Sequence, residues 1–180
     1  MLGHDRSEYS PIIDRPVIKW PNNARVALWV APNVEYVDFI QPPNDGAGGY
    51  YRGGPGRTPL PDVRAFGNHD YGNRVCFWRM LEVFDQHKIR CTVSLNEAIL
   101  EHFPEIKDAL VKRDYDFMSH GIYNSRFLNH LSVEEERAFY KDCIDTLKRH
   151  TGRQLKGMLT PAVSPTDATP DLMAEAGLIY

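Results

Sequence analysis

Short apolar segments alternate with amphipathic helical segments along this chain of 180 residues. The apolar runs predict strands at 25–30, 91–95, 115–119, 155–159 and 178–180. Helical spacing predicts helices at 74–88, 97–113 with a break at Pro104, 132–152 and 169–176. Such alternation is typical of right-handed βαβ units around a parallel sheet. The sequence therefore predicts an α/β fold in which functional residues lie at the carboxyl ends of the strands.

Two of the predicted helices carry local start signals. Ser132 and Glu135 have the spacing of a capping box, and Gly152 stands just past the end of the same helix. Thr169 is predicted to cap the last helix, with Pro170 in its first turn. These signals fix the helix boundaries more closely than periodicity alone does.

The segment from Gln41 to Asn73 carries eight of the thirteen glycines and five of the thirteen prolines. So many breaking residues predict a long loop without regular structure. A loop of this length inside a compact domain is usually functional. We predict an active-site loop at 41–73 within a single domain that covers residues 1–180.

Composition limits the classes of partner. Hydrophobic residues make up 42% and charged residues 25%, which is the balance of a soluble globular protein. The net charge of −3 without a basic stripe argues against nucleic acid. No apolar run approaches the roughly 20 residues that span a bilayer, and the first residues lack a secretory signal, so we expect no membrane partner and a cytoplasmic location. The three cysteines, Cys76, Cys91 and Cys143, are predicted to be buried, reduced thiols.

Polar side chains collect after the predicted strands. Asn33 and Glu35 follow the first strand, and His120 and Asn124 follow the third. An ionised carboxylate beside a buried strand is costly unless it is paired or bound to a ligand, which favours a functional role for Glu35. His120 could equally be a hydrogen-bonded core histidine, and Asn124 could cap a turn.

Two further candidates lie at the end of the long loop. His69 and Asp70 could reach over the strand ends as part of a lid, although a polar pair in a loop is more often only solvated. We include both as candidate substrate-binding residues, together with Asn33 and Asn124.

Three strings together resemble the polysaccharide deacetylase (NodB-homology) superfamily, and within it the allantoinase and cyclic-amide hydrolase branch. They are Asn33-Val34-Glu35-Tyr36, Asp70-Tyr71-Gly72-Asn73-Arg74, and Ser119-His120-Gly121-Ile122-Tyr123-Asn124-Ser125-Arg126. The resemblance implies a parallel (β/α) barrel of the distorted type found in that family. It also implies that the chain is incomplete at the C-terminal end, because the last family motifs are absent.

The resemblance assigns roles by position. Glu35 falls on the metal-binding aspartate of the family, His120 on its first metal-binding histidine, and Asn124 where a second histidine would stand. The cofactor is therefore either absent or one divalent metal, zinc, held by these three residues. The fourth-strand Arg-Pro-Gly motif corresponds to Leu159, Pro161 and Val163, so only the proline is shared.

Three functions follow from these matches. The first is hydrolysis of a non-peptide carbon–nitrogen bond in a small amide, ureide or cyclic imide, with Glu35 and His120 as the catalytic residues. The second is zinc-dependent deacetylation of an N-acetylated sugar. The third is a degenerate or truncated relative with a binding or assembly role. An open sheet edge would make the chain associate with itself, so we predict a homo-oligomer.

Overall fold

The computed structural model describes residues 6–40 and 61–180. Its strands are β1 (Asn33–Val34), β2 (Thr92–Leu95) and β3 (Asp116–Ser119). Its α-helices are α1 (Val63–Tyr71), α2 (Phe77–His87), α3 (Ala98–His102), α4 (Pro104–Lys112), α5 (Val133–Thr151) and α6 (Thr169–Glu175). A π-helical turn (Gly72–Cys76) joins α1 to α2, and 3-10 turns occur at Ile12–Asp14, Pro21–Asn23 and Pro161–Val163.

The three strands form a parallel sheet in the order β1-β2-β3. Main-chain hydrogen bonds continue this order beyond β3. Ser119 N donates to Gly157 O over 3.0 Å, and Ile179 N donates to Lys156 O over 2.8 Å. The predicted fourth and fifth strands thus follow in sequence order, although the contacts there amount to a single bridge, Ser119 with Met158, and a few hydrogen bonds. The predicted parallel α/β arrangement is confirmed.

The prediction of the first strand at residues 25–30, made from their apolar character, is wrong. The assigned strand is β1, several residues later, and Val26 and Leu28 are exposed by 76% and 86%. The end of that run does contact the sheet: the Val30 carbonyl accepts a hydrogen bond from Thr92 N, and Trp29 Nε1 donates to the Thr92 hydroxyl over 3.0 Å. Apolar character predicted burial on two faces, but no described element covers this part of the chain. Self-association through such exposed surface stays a prediction.

The predicted loop at 41–73 is corrected in its last part. Residues 41–60 lie outside the described residues, but α1 already begins at Val63, capped by the Asp62 side chain, which accepts from Ala65 N over 2.9 Å. Gly67 and Gly72, counted as breakers, lie within or beside the helix, where the space around each is open. The helix predicted from Arg74 is therefore the continuation of α1 through the π-helical turn into α2.

The later helices agree more closely with their signals. The capping box of Ser132 and Glu135 is formed, and Gly152 ends α5 in the left-handed conformation at φ +72°. Pro104 separates α3 from α4 and occupies the first turn of α4. The cap predicted at Thr169 is wrong, because Thr169 lies inside the first turn of α6 and its hydroxyl donates to the Glu136 carboxylate instead.

The core lies between the sheet and the helices that flank it. All four residues of β2 are buried, and Leu81, Ile99, Leu110 and Leu147 pack in the same cluster. Cys91 and Cys143 are buried as predicted, but Cys76 is exposed because the π-helical turn presents it to solvent. None of the helices in the described ranges is both long and apolar enough to cross a membrane.

Candidate functional site

The carboxylate of Glu35, the residue directly after β1, is surrounded by side chains from three parts of the chain. Its Oε2 lies 3.0 Å from His69 Nε2 and accepts a hydrogen bond from Asn124 Nδ2 over 3.0 Å. Its Oε1 accepts from Asn33 Nδ2 over 3.1 Å and lies 3.5 Å from His120 Nε2. Five of the six residues predicted for the site are thus brought together.

His69 reaches Glu35 from the last turn of α1. Its Nδ1 lies 2.8 Å from the carbonyl of Ala65, one turn earlier, so the ring is fixed with Nε2 toward the carboxylate. The π-helical turn that follows contributes Asn73, whose buried side chain donates to the Glu35 main-chain carbonyl over 2.9 Å. Helix and turn together therefore hold both the side chain and the backbone of Glu35.

His120 comes from the end of β3 and is almost fully buried, with 5% of its surface exposed. Its main-chain N donates to Leu95 O over 2.7 Å, which extends the β2–β3 ladder by one bond. Its ring Nδ1 lies 2.6 Å from the carbonyl of Leu159. Leu159, which stands at the first position of the altered fourth-strand motif, thus orients the His120 imidazole through its main-chain carbonyl. Any residue type at this position can supply that carbonyl.

The segment between His120 and Asn124 has no regular structure, with a bend at Ile122 and a turn that begins at Asn124. Gly121 has φ +75°, and a Cβ there would lie 2.7 Å from a ring carbon of Pro161. Glycine is required by both the conformation and the close approach. Asn124 N donates to Tyr36 O over 3.0 Å, which ties the turn to the chain after β1 and directs the amide at Glu35.

The histidines determine the charge state of Glu35. Hydrogen bonding to His120, and then to His69, lowers the pKa of the Glu35 carboxyl far below its usual range, against the opposing effect of burial. In each histidine Nδ1 faces a carbonyl oxygen, which only accepts, so Nδ1 carries a proton. His69 Nε2 lies at hydrogen-bond distance, 3.0 Å, from the carboxylate, and this contact is an ion pair when the ring is protonated.

Asp70 does not join this cluster. Its carboxylate accepts from Arg74 Nε over 2.7 Å, one turn further along the chain.

Two residues that sequence reasoning did not assign to the site, Asn73 and Asn96, have structural roles beside it. Asn73 lies inside a string already quoted for the family resemblance, and Asn96 follows β2 as Glu35 follows β1, so position at a strand end was the available signal.

Asn96 connects the ends of all three strands and is fully buried. Its Oδ1 accepts from Tyr36 N over 2.9 Å, and its Nδ2 donates to the carbonyls of His120 and Gly121. One amide therefore forms hydrogen bonds with three main-chain groups, which keeps these polar groups paired at the strand ends. This contact sets the spacing between the segments that carry Glu35 and His120.

Aromatic rings lie next to the two site segments. Tyr36 stacks on His102 with centroids 4.4 Å apart, and it meets the Tyr123 ring edge-on at 5.6 Å. The Arg126 guanidinium lies 4.3 Å from the centroid of Tyr123. Tyr36 directly follows Glu35 and Tyr123 directly precedes Asn124 in the sequence, and both side chains are half-buried.

A metal ion implied by the family does not fit the cluster as it is arranged. Across residues 6–40 and 61–180, no group of three or more histidine, cysteine, aspartate or glutamate side chains is placed to hold one. Both oxygens of Glu35 already accept side-chain N–H groups, and Asn124 turns its NH₂ group toward the carboxylate. N–H groups of Asn33 and Asn124 therefore occupy the positions on the Glu35 oxygens where a metal ion would bind.

The family model described as polysaccharide deacetylase matches residues 63–180. No curated protein matches the chain significantly. Among solved structures, Puue allantoinase is 21% identical with a TM-score of 0.74, and the match covers 97% of this chain and 60% of that one. A probable polysaccharide deacetylase from Pseudomonas aeruginosa PAO1 is 24% identical with a TM-score of 0.71, covering 92% and 56%.

A third similar structure is the wild-type CE4 family pseudoenzyme BA3943 from Bacillus anthracis, 18% identical with a TM-score of 0.54, covering 59% of this chain and 37% of that one. The chain spans about two fifths to three fifths of the length of these three structures. At such identities the likeness shows the fold alone, and that fold is the predicted parallel (β/α) barrel of the polysaccharide deacetylase type.

We expect acid to destabilise the wild-type chain more than a Glu35→Gln variant. The folded carboxyl has a pKa below the unfolded value of 4.5, so the stability that Glu35 contributes is present above pH 4.5 and is lost as the pH falls below it. Urea unfolding between pH 6 and 3 measures this difference. Glu8→Gln, at an exposed position, is the control; equal acid sensitivity of wild type and Glu35→Gln would contradict the ion-pair account.

We also expect the purified chain to contain far less than one equivalent of zinc or another transition metal, because the carboxylate oxygens already accept donors. Elemental mass spectrometry on wild type and on His120→Ala measures the content. About one metal per wild-type chain, lost in the variant, would contradict the assignment and restore the predicted ligand set of Glu35, His120 and Asn124.

Proposed function

The chain belongs to the polysaccharide deacetylase family, and we propose that it hydrolyses a carbon–nitrogen bond, other than a peptide bond, in a small amide, ureide or cyclic imide. The observation that carries this proposal is the single carboxylate, Glu35, held by two imidazoles and by the amide of Asn124. The amide stands where the family resemblance places a second histidine. Such a cluster offers proton transfer and hydrogen bonding, which are the needs of amide hydrolysis.

In the proposed reaction a water molecule attacks the carbonyl carbon of the substrate. Glu35 Oε1 and His120 Nε2 are 3.5 Å apart, so one water can contact both atoms at hydrogen-bond distances. Glu35 accepts the proton of this water, and the imidazole of His120 donates to the carbonyl oxygen as negative charge develops there. The C–N bond then breaks, and the nitrogen leaves with a proton from the cluster.

The low pKa of Glu35 is consistent with this sequence of events. A strongly stabilised carboxylate is ionised at neutral pH but is a weak base. His120 is the largest cause of that stabilisation. When His120 donates to the substrate oxygen instead, Glu35 loses this hydrogen bond and becomes more basic at the point where a proton must be accepted. His69 stays paired and holds the carboxylate in place.

Asn33 and Asn124 complete the proposed site by binding the substrate amide or ureide. Each already donates from its NH₂ group to Glu35, which leaves its carbonyl oxygen to accept an N–H group. A ureide carries several N–H groups in one plane, and two nearby amide oxygens match them. The likeness in fold to Puue allantoinase supports this substrate class but does not define a particular substrate.

A second candidate function, removal of an acetyl group from an N-acetylated sugar, is favoured by one observation. The rings of Tyr36 and Tyr123, which are next to Glu35 and Asn124 in the sequence, pack edge-on against each other, and aromatic faces are suited to the apolar face of a sugar. The reaction is the same type of amide hydrolysis. What differs is the size of the substrate and the metal that the broader family uses, for which the cluster lacks an arranged ligand set.

The proposal is tested by assaying the purified chain against a panel of allantoin, hydantoin, dihydrouracil, simple amides and N-acetylglucosamine oligomers, with mass-spectrometric detection of products. We expect turnover of at least one small amide or ureide. Glu35→Ala and His120→Ala are each expected to reduce kcat/KM about 100-fold or more, as general acid–base groups do when removed.

His87→Ala is the matched control, since His87 is an exposed histidine at the end of α2, and it should retain wild-type kcat/KM. Turnover only of the sugar oligomers would favour the second candidate. A folded chain that turns over none of the compounds would overturn the hydrolase proposal and favour the non-catalytic relative, a class that includes the BA3943 pseudoenzyme.

A further inference from the structure

Two glutamates are completely buried, and only one of them has partners. Glu136 accepts hydrogen bonds from the hydroxyls of Tyr140, Thr166 and Thr169. Glu97, which follows β2 and is 1% exposed, has no hydrogen-bond partner for either carboxyl oxygen in the described part of the chain. An unpartnered polar group in a core is costly, so its presence requires an explanation.

The surroundings of Glu97 oppose its ionisation. Burial raises the pKa of its carboxyl to about 8, and the negative charge of Asp142 on α5 adds to this effect. The Ser119 hydroxyl, the main-chain N–H of Glu97 itself and the Cys143 thiol lie close enough to lower the pKa by less, although none of them forms a hydrogen bond of good geometry with the carboxyl oxygens. No cation is among these neighbours. Burial and the charge on Asp142 therefore both favour the protonated form of this carboxyl.

The backbone around Glu97 holds the segment that leaves β3. Glu97 N donates to Gly121 O over 3.1 Å, and Ala98 N donates to Ile122 O over 3.1 Å. The side chain of Glu97 lies beside Ser119, whose hydroxyl oxygen accepts from Gly121 N over 3.0 Å. Glu97 therefore meets this segment from two sides, through its own peptide group and through the hydroxyl that its carboxyl faces.

We propose that Glu97 is a positioning residue whose buried side chain and main-chain N–H keep Ser119 and Gly121 in the arrangement that presents His120 to Glu35. The proposal deepens the proposed function, because His120 is the group held in place. A neutral acid can approach the serine hydroxyl without attracting water into the core. An ionised Glu97 would repel Asp142 and recruit solvent, which would loosen the contact between Ser119 and Gly121 and so displace His120.

The sign of the pH dependence follows from the two states. An unfolded glutamate ionises near its ordinary value of 4.5, whereas Glu97 in the folded chain holds its proton to about pH 8. The folded state therefore binds the extra proton between these values, and its stability falls as the pH rises from 4.5 to 8. This is the opposite direction from Glu35, so the two contributions can be separated.

The test is a pH titration from 5 to 9.5 by NMR of a chain labelled with carbon-13 in glutamate carboxyl groups and with nitrogen-15 in the backbone. One glutamate signal is expected to titrate with a midpoint near pH 8. The Gly121 amide signal is expected to move with the same midpoint. Both changes should vanish in Glu97→Gln, which mimics the neutral acid, and persist in Glu82→Gln at an exposed position of α2.

A glutamate set that titrates entirely below pH 6 would overturn the proposal, as would a Gly121 amide that does not follow Glu97. Where a substrate is turned over, kcat should fall in the wild type above pH 8 but stay level in Glu97→Gln, with KM unchanged. The NMR result needs no substrate. Its failure would leave the hydrolase proposal standing, and a failure of hydrolysis would leave the NMR result intact.

Discussion

The structure depends on one carboxylate that satisfies donors from three separate parts of the chain. Glu35 accepts from the amides of Asn33 and Asn124 and lies within reach of the rings of His69 and His120. The two imidazoles are held in turn by main-chain carbonyls, and the backbone of Asn124 is bonded to Tyr36 O. The negative charge on Glu35 is stabilised because the fold places these N–H donors next to its carboxylate.

The positions of the side chains around Glu35 depend on irregular backbone at the ends of the helices and strands. The π-helical turn after α1 places Asn73 on the backbone of Glu35, and Gly121 turns the chain after β3 where Pro161 leaves no room for a side chain. Asn96 joins the strand ends through three main-chain groups. Regular strands and helices thus supply a rigid frame, and the departures from regularity direct the functional side chains.

Local signals in the sequence predicted the local parts of this arrangement. The capping box at Ser132 and the break at Pro104 were read correctly, since each depends only on neighbouring residues. Strand-end position and the family resemblance identified Glu35 and His120. The strand predicted at 25–30 was wrong because the burial of an apolar segment depends on which other elements pack against it. His69 was assigned to a lid because glycine and proline counts concealed α1, and Asp70 pairs with Arg74 one helical turn away and so lies outside the Glu35 cluster.

A double-mutant cycle between Glu35 and His120 tests the central claim most directly. The free energy of unfolding is measured for wild type, Glu35→Gln, His120→Gln and the double variant at pH 6. We expect the double variant to lose less stability than the sum of the single variants, by roughly 1 to 3 kcal/mol, as charged groups in one hydrogen-bonded network do. Additive losses within about 0.5 kcal/mol would show that Glu35 and His120 are neighbours without energetic coupling, and would contradict the account.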